Sequence, residues 1–168
     1  MSHETDIDSD VKPRFEIPAT MRNLFLSLTA IAILAGCASV PKAPEAADSA
    51  AKSFQVAPDK ANLYVFRKPA VAGSAVAVQV SVDGRMLGST GAGTYFLVRL
   101  DPGTHVVSSF TPESAPALTL TVEAGRNYFV EQKTHFGLAN ARTSLHELSE
   151  SEGRAAVMKC RLLASAYR

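Results

Sequence analysis

Between Val76 and Val82 the chain alternates without interruption: Val76, Val78, Val80 and Val82 are separated by Ala77, Gln79 and Ser81, and Asp83-Gly84 follows at once. A period of two sets all four valines on one face of an extended strand, whereas a helix would scatter them around its axis. Asp-Gly accepts the positive φ angles of a tight turn, so Arg85-Met86-Leu87 is expected to return as the second arm of a hairpin.

The same grammar recurs along the chain. Leu63-Tyr64-Val65-Phe66 is a compact run of strand formers, and Thr94 to Leu100 sets Phe96, Val98 and Leu100 against Tyr95, Leu97 and Arg99. Asp101-Pro102-Gly103 ends that strand with turn chemistry. His105 to Thr111 is the next predicted strand, followed by a loop over Pro112 to Pro116. Leu118, Leu120 and Val122 then alternate with Thr119 and Thr121, Glu123 to Arg126 turns, and Tyr128 to Gln132 extends again. Short strands with turn signals roughly every ten residues predict a mostly β domain, an antiparallel β-sandwich of about seven strands. Near the C-terminus, Ser149 and Glu152 have the spacing of a capping box. Ala156, Val157, Cys160, Leu163 and Ala164 follow as an apolar helical stripe. One C-terminal α-helix is therefore expected, with Gly153 as a weak point roughly 1 kcal/mol poorer than alanine.

Upstream lies a different kind of segment. Met21-Arg22-Asn23 is a short basic start, Leu24 to Leu34 is apolar except for Ser27 and Thr29, and Leu34-Ala35-Gly36-Cys37 closes the run. The run is shorter than the roughly 20 residues that span a hydrocarbon core. It reads as a signal peptide over residues 21–36, cut between Gly36 and Cys37, with Cys37 as the lipidation site that carries a diacylglycerol thioether and palmitate-type acyl chains. Residues 1–20 hold Glu4, Asp6, Asp8, Asp10 and Glu16, the wrong sign for a signal n-region, and are expected to be an over-extended start or leader with translation beginning at Met21. Residues 37–60, rich in Ala, Pro, Ser and charge, are expected to be a flexible tether. That leaves 61–168 as the β-sandwich domain with its C-terminal helix. Ala38 is not the aspartate that retains lipoproteins at the inner membrane of Gram-negative bacteria, which in such a cell favours the outer membrane facing the periplasm.

Composition narrows the chemistry. Three of the 17 basic and five of the 16 acidic residues precede Cys37, so the remainder carries about +3, scattered without a basic block, and nucleic acid is excluded as a partner. If lipid takes Cys37, Cys160 has no intrachain partner and is expected as a buried core residue. His105, His135 and His146 lack the spacing of a local ligand pair, so neither a metal nor a cofactor is expected. Gly88-Ser89-Thr90-Gly91 is not a nucleophile elbow, and Gly91-Ala92-Gly93 lacks the lysine of a phosphate loop. Asp83, Asp101 and Glu123 all fall in predicted turns, where local hydrogen bonding is their expected role. No residue is assigned a catalytic role, and the chain reads as non-enzymatic. Tyr64, Phe66, Tyr95, Tyr128 and Phe129 admit two readings. They supply core area, or Tyr64, Tyr95 and Phe129 form a partner surface for sugar or peptide.

The order of motifs is distinctive: lipobox, tether, Asn62 to Arg67, Val80-Ser81-Val82-Asp83-Gly84, Gly93-Thr94-Tyr95-Phe96, Leu100-Asp101-Pro102-Gly103-Thr104-His105, Gly125 to Val130, and a closing Glu152-Gly153. From about Ala61 to Leu163 the chain resembles an uncharacterised domain family common in bacterial lipoproteins. Val80 to Val130 is also similar to small β-sandwich repeats of surface-layer type, built on valine-aspartate-glycine and leucine-proline-glycine-histidine patterns. The resemblance implies a lipid-anchored β-sandwich with no assigned catalytic residue. The expected function is a binding or adaptor role at the periplasmic membrane surface, with the membrane held through the N-terminal lipid and an envelope protein or glycan as partner. A small-ligand or metal carrier and a hydrolase are the alternatives. A concave pocket with convergent polar groups would favour the carrier. A serine or cysteine within reach of a histidine would favour the hydrolase, and an exposed apolar patch or free strand edge the adaptor.

Overall fold

The computed structural model describes residues 41–70 and 76–165. Cys37 and the segments expected to be leader and signal peptide, residues 1–36, lie outside the described residues. The elements are α1 (Glu45–Ala51), β1 (Ala61–Arg67), β2 (Val78–Val82), β3 (Arg85–Thr90), β4 (Thr94–Leu100), β5 (Gly103–Phe110), β6 (Ala117–Val122), β7 (Asn127–Phe136), β8 (Ala141–Leu148), α2 (Glu150–Val157) and β9 (Arg161–Leu162). One sheet has the order β8-β7-β1-β4-β9 and the other β3-β2-β5-β6. The mostly β, sandwich-like architecture with a C-terminal helix is thus present, with nine described strands rather than seven. The sheets are not wholly antiparallel, since β1 runs parallel to β7 and β4 to β9.

Alternation in sequence becomes two cores in space. Leu63, Val65, Val80, Val82, Phe96, Val98, Leu100, Val107, Leu120 and Val122 meet between the sheets. Tyr64, Phe66, Tyr95 and Phe129 point the other way, where Ala51, Phe54, Ala156, Val157 and Cys160 cover them. β1 is consequently buried along its whole length, and each such large apolar side chain contributes about 1.5–3 kcal/mol. The Asp83-Gly84 hairpin forms as its sequence requires, with φ of 50° and 75°.

Two expected boundaries move. The segment read as tether up to residue 60 belongs to the domain from Pro41 onward. Ala43 donates to the Leu162 carbonyl at 2.9 Å, α1 follows, and Ala51 and Phe54 are buried. Average composition concealed this because Phe54 and a few alanines suffice when an aromatic sheet face is waiting for them. The C-terminal helix is shorter than its apolar stripe, ending at Val157. Beyond it Arg161–Leu162 turns into β9, which pairs with Thr94 and Tyr95, so Leu163 enters the core from extended backbone. The capping box at its start is formed, with Ser149 Oγ accepting from the Glu152 amide at 3.4 Å and donating to the Glu152 carboxylate at 2.6 Å.

Candidate functional site

The aromatic residues expected to form a partner surface do not. Tyr64, Tyr95 and Phe129 have no exposed surface. Phe54 lies over this group, with ring centroids 5.4 Å from Tyr64 and 6.0 Å from Phe129, and Tyr64 stacks on Phe129 at 4.9 Å. Tyr64 donates its hydroxyl to the Ala51 carbonyl at 2.8 Å and Tyr95 to Asp48 Oδ1 at 3.0 Å. Burial pushes the Tyr64 phenol up to about 12 and raises that of Tyr95 further, so both stay neutral donors. These rings fail as a surface because α1, absent from the sequence reading, covers them. Cys160 is a free, buried thiol, pushed by desolvation up to about 11 and inert as a nucleophile.

Exposed chemistry collects instead on the β7–β8 hairpin. β1 pairs with β7 only as far as Glu131, whereas β7 and β8 remain paired to Phe136 and Ala141. Beyond Glu131 the hairpin has no paired neighbour on the β1 side among the described residues, where Lys68, Ala70 and Val76 flank it instead, while its inner face still bonds to the other sheet through Gln132 and Thr143. Its tip, residues 137–140, is held by one side chain from the β5–β6 loop. Glu113 accepts from the amides of Leu138 at 3.0 Å, Ala139 at 2.7 Å and Asn140 at 2.5 Å. Those amides hold the Glu113 carboxyl below its ordinary range. Gly137 leaves room for this clamp, because a Cβ there would strike the Glu113 carboxylate. The clamp presents Phe136, 91% exposed, and Leu138, fully exposed.

Below the tip, on the helix-bearing side of the sheet, β7 carries Glu131, Lys133 and His135, and β8 carries Arg142, Ser144 and His146 in register opposite them. Ser144 Oγ lies 2.8 Å from His135 Nε2 and 3.0 Å from His146 Nε2. Buried Glu131 pairs with Lys68 at 3.1 Å and faces Lys133 at 3.9 Å. Sequence spacing gave no hint of the His135–Ser144 contact, which joins residues nine apart diagonally across the two strands. Among the described residues, neither histidine hydrogen-bonds a carboxylate that would orient it as a catalytic base, and no group of three or more His, Cys, Asp or Glu side chains is placed to hold a metal ion. A groove of about 240 Å³ runs along the tip, lined by Val76, His135, Phe136, Leu138 and Asn140 among others. That is below the usual size of a small-molecule site, whereas a shallower depression of about 630 Å³ beside it, lined by Gln79, Ser89, Phe110 and Asn140 among others, falls within that range.

The turn carboxylates have local roles. His105 Nδ1 lies 2.7 Å from Asp83 and its Nε2 2.8 Å from the Asp101 carbonyl, while Asp83 also accepts the Val106 amide at 2.9 Å. Asp101 pairs with Lys60 at 2.5 Å, and Glu123 with Arg126 at 2.8 Å.

Residues 57–144 match a family described as a protein of unknown function (DUF2846). An uncharacterized protein of Haemophilus influenzae (strain ATCC 51907 / DSM 11121 / KW20 / Rd) is 31% identical over 135 residues, covering 79% of this chain and 79% of that protein.

Proposed function

The chain belongs to the DUF2846 family of proteins of unknown function, and from that premise we propose that it is a non-enzymatic envelope lipoprotein, anchored through Cys37 at the periplasmic face of the outer membrane and binding an envelope component through the β7–β8 hairpin. The observation that carries the reading is the clamped tip. Single exposed apolar residues are ordinary, but Phe136 and Leu138 stand two positions apart, almost wholly in water, on a turn that Glu113 holds in one conformation. Holding a binding surface rigid lowers the ordering cost of association. The lipobox supports the anchor, and confinement to a surface raises the effective concentration of a module that only binds.

Two measurements test this. Intact mass of the purified protein should correspond to a chain starting at Cys37 with a diacylglycerol thioether. Isolated cell-envelope membranes, not solubilised, should retain the protein on sedimentation and should retain Phe136→Ser/Leu138→Ser less. Equal retention by both proteins would sink the hairpin as the docking element.

Ser144 between two histidines favours a second reading, a hydrolase with Ser144 as nucleophile and His135 or His146 as base. Labelling by a fluorophosphonate that disappears in Ser144→Ala would establish it, and absence of labelling would dismiss it.

A further inference from the structure

We infer that the envelope component met by the hairpin is the bilayer itself: Phe136 and Leu138 enter the interface of an anionic membrane while Lys133 and Arg142 engage lipid phosphates. The inference rests on the anchoring proposed above. Three observations carry it.

The first is the order of chemistry along the hairpin. Phe136, Leu138, Ala139 and Ala141 make an apolar end, and the charged pairs begin immediately behind it with His135 opposite Arg142 and Lys133 opposite Ser144. Apolar side chains ahead of cations match the sequence of environments met on approaching an anionic membrane from water.

The second is how the nearby carboxylates are used. Glu113 is occupied by three tip amides and lies 3.9 Å from Arg142. Glu131 is buried against Lys68. Near the tip the exposed charged side chains among the described residues are those of Lys133 and Arg142, 45% and 58% exposed, with Lys68 at 51%, while the exposed carboxylates Glu147 and Glu152 lie farther back toward α2.

The third is chain length. The described domain begins at Pro41, leaving Ala38, Ser39 and Val40 between it and Cys37. Four peptide steps span at most about 14 Å when fully extended. A domain on so short a lead always has the membrane surface within reach, and because Pro41 lies against β9, at the opposite edge of the sheet from β8, anchor and hairpin meet one surface with the sheet lying across it from edge to edge.

The chain contains no tryptophan, so Phe136→Trp supplies a unique probe in the full-length protein. In excess vesicles of phosphatidylethanolamine and phosphatidylglycerol, the indole emission should shift to the blue and be quenched by brominated acyl chains. Met86→Trp is the control. It sits beside the Asp83-Gly84 turn, which His105 ties to Asp101 at the opposite end of the sandwich, and its emission should stay water-like. Adding Lys133→Glu/Arg142→Glu to the Phe136→Trp protein should weaken the indole response roughly tenfold, and phosphatidylcholine vesicles should reproduce that loss.

Emission from the Phe136→Trp protein that is unchanged and unquenched in excess vesicles overturns the inference. So does shielding of the indole from acrylamide without quenching by brominated chains, which marks a protein contact. An equal response on phosphatidylcholine overturns the role of the cations. The mass measurement reads the anchor separately: a chain without lipid on Cys37 fails the anchoring proposal, yet the indole at position 136 still answers the question of the hairpin.

Discussion

Gly153 shows how a residue's meaning depends on what faces it. By helix propensity alone, alanine at this position of α2 should stabilise the protein by roughly 1 kcal/mol. A Cβ there would fall on the Phe129 ring, so Gly153→Ala is expected to destabilise by about 1–3 kcal/mol through overpacking. Denaturant unfolding checks this, and Phe129→Leu in the same chain should recover part of the loss as a non-additive term. The glycine was visible in sequence, but its partner lies on a strand more than twenty residues away, and no helical pattern encodes it. His105 was the reverse case, a lone histidine whose turn role follows once Asp83 and Asp101 are adjacent. Burial works against its charged form, but the bonds to Asp83 and the Asp101 carbonyl outweigh this and raise its pKa. A raised folded pKa gives stability that is complete below the unfolded value, about 6.5, and is lost as pH rises through the folded value. Stability should therefore fall between about pH 6 and 8 in the parent, and this component should vanish in His105→Asn, measured by denaturant midpoints at each pH.

At the scale of elements, long alternating strands were legible and short or polar ones were not. β4 and the β2–β3 hairpin read directly from apolar period and turn chemistry. β8 carries few large apolar residues, Leu145 and Leu148, because it is an edge strand with one neighbour. β9 is two residues long and exists only against β4. α1 spans seven residues, too short to persist alone in water, and is held by tertiary contacts. Asp48 is central to them. Its carboxylate takes Lys52 Nζ at 2.8 Å, the Leu162 amide at 2.8 Å and the Tyr95 hydroxyl at 3.0 Å. Burial alone would raise its pKa, and these bonds together keep it below the ordinary value. Asp48→Asn is expected to cost about 1.5–3 kcal/mol, the range for hydrogen bonds to a charged group. A chain shortened to residues 61–168, the boundary that composition suggested, would expose Tyr64, Tyr95 and Phe129 together. Binding of a hydrophobic dye and loss of cooperative melting would show this. A cooperative, dye-silent shortened chain would mean that α1 is dispensable.

For the whole molecule, moving the domain boundary from Ala61 back to Pro41 changes what an anchor on Cys37 would do. A flexible lead of over twenty residues would let the domain search a broad volume, with an effective concentration at the surface that falls as the lead lengthens. Three residues give the opposite regime, in which a contact too weak to recruit a soluble protein is still occupied. Two apolar side chains and a few cations make such a weak contact, comparable to the marginal binding of a single acyl chain. The two signals are therefore expected to depend on each other. Inserting about twenty Gly/Ser residues between Ser39 and Val40 should leave the thermal midpoint unchanged, because the insertion precedes Pro41. In the Phe136→Trp protein it should nevertheless lower the quenching of the indole by brominated lipids, since each doubling of a flexible lead costs about 0.6 kcal/mol of closure entropy. If quenching is instead equal with and without the insertion, the hairpin holds the membrane by its own affinity and the short lead contributes nothing to the contact.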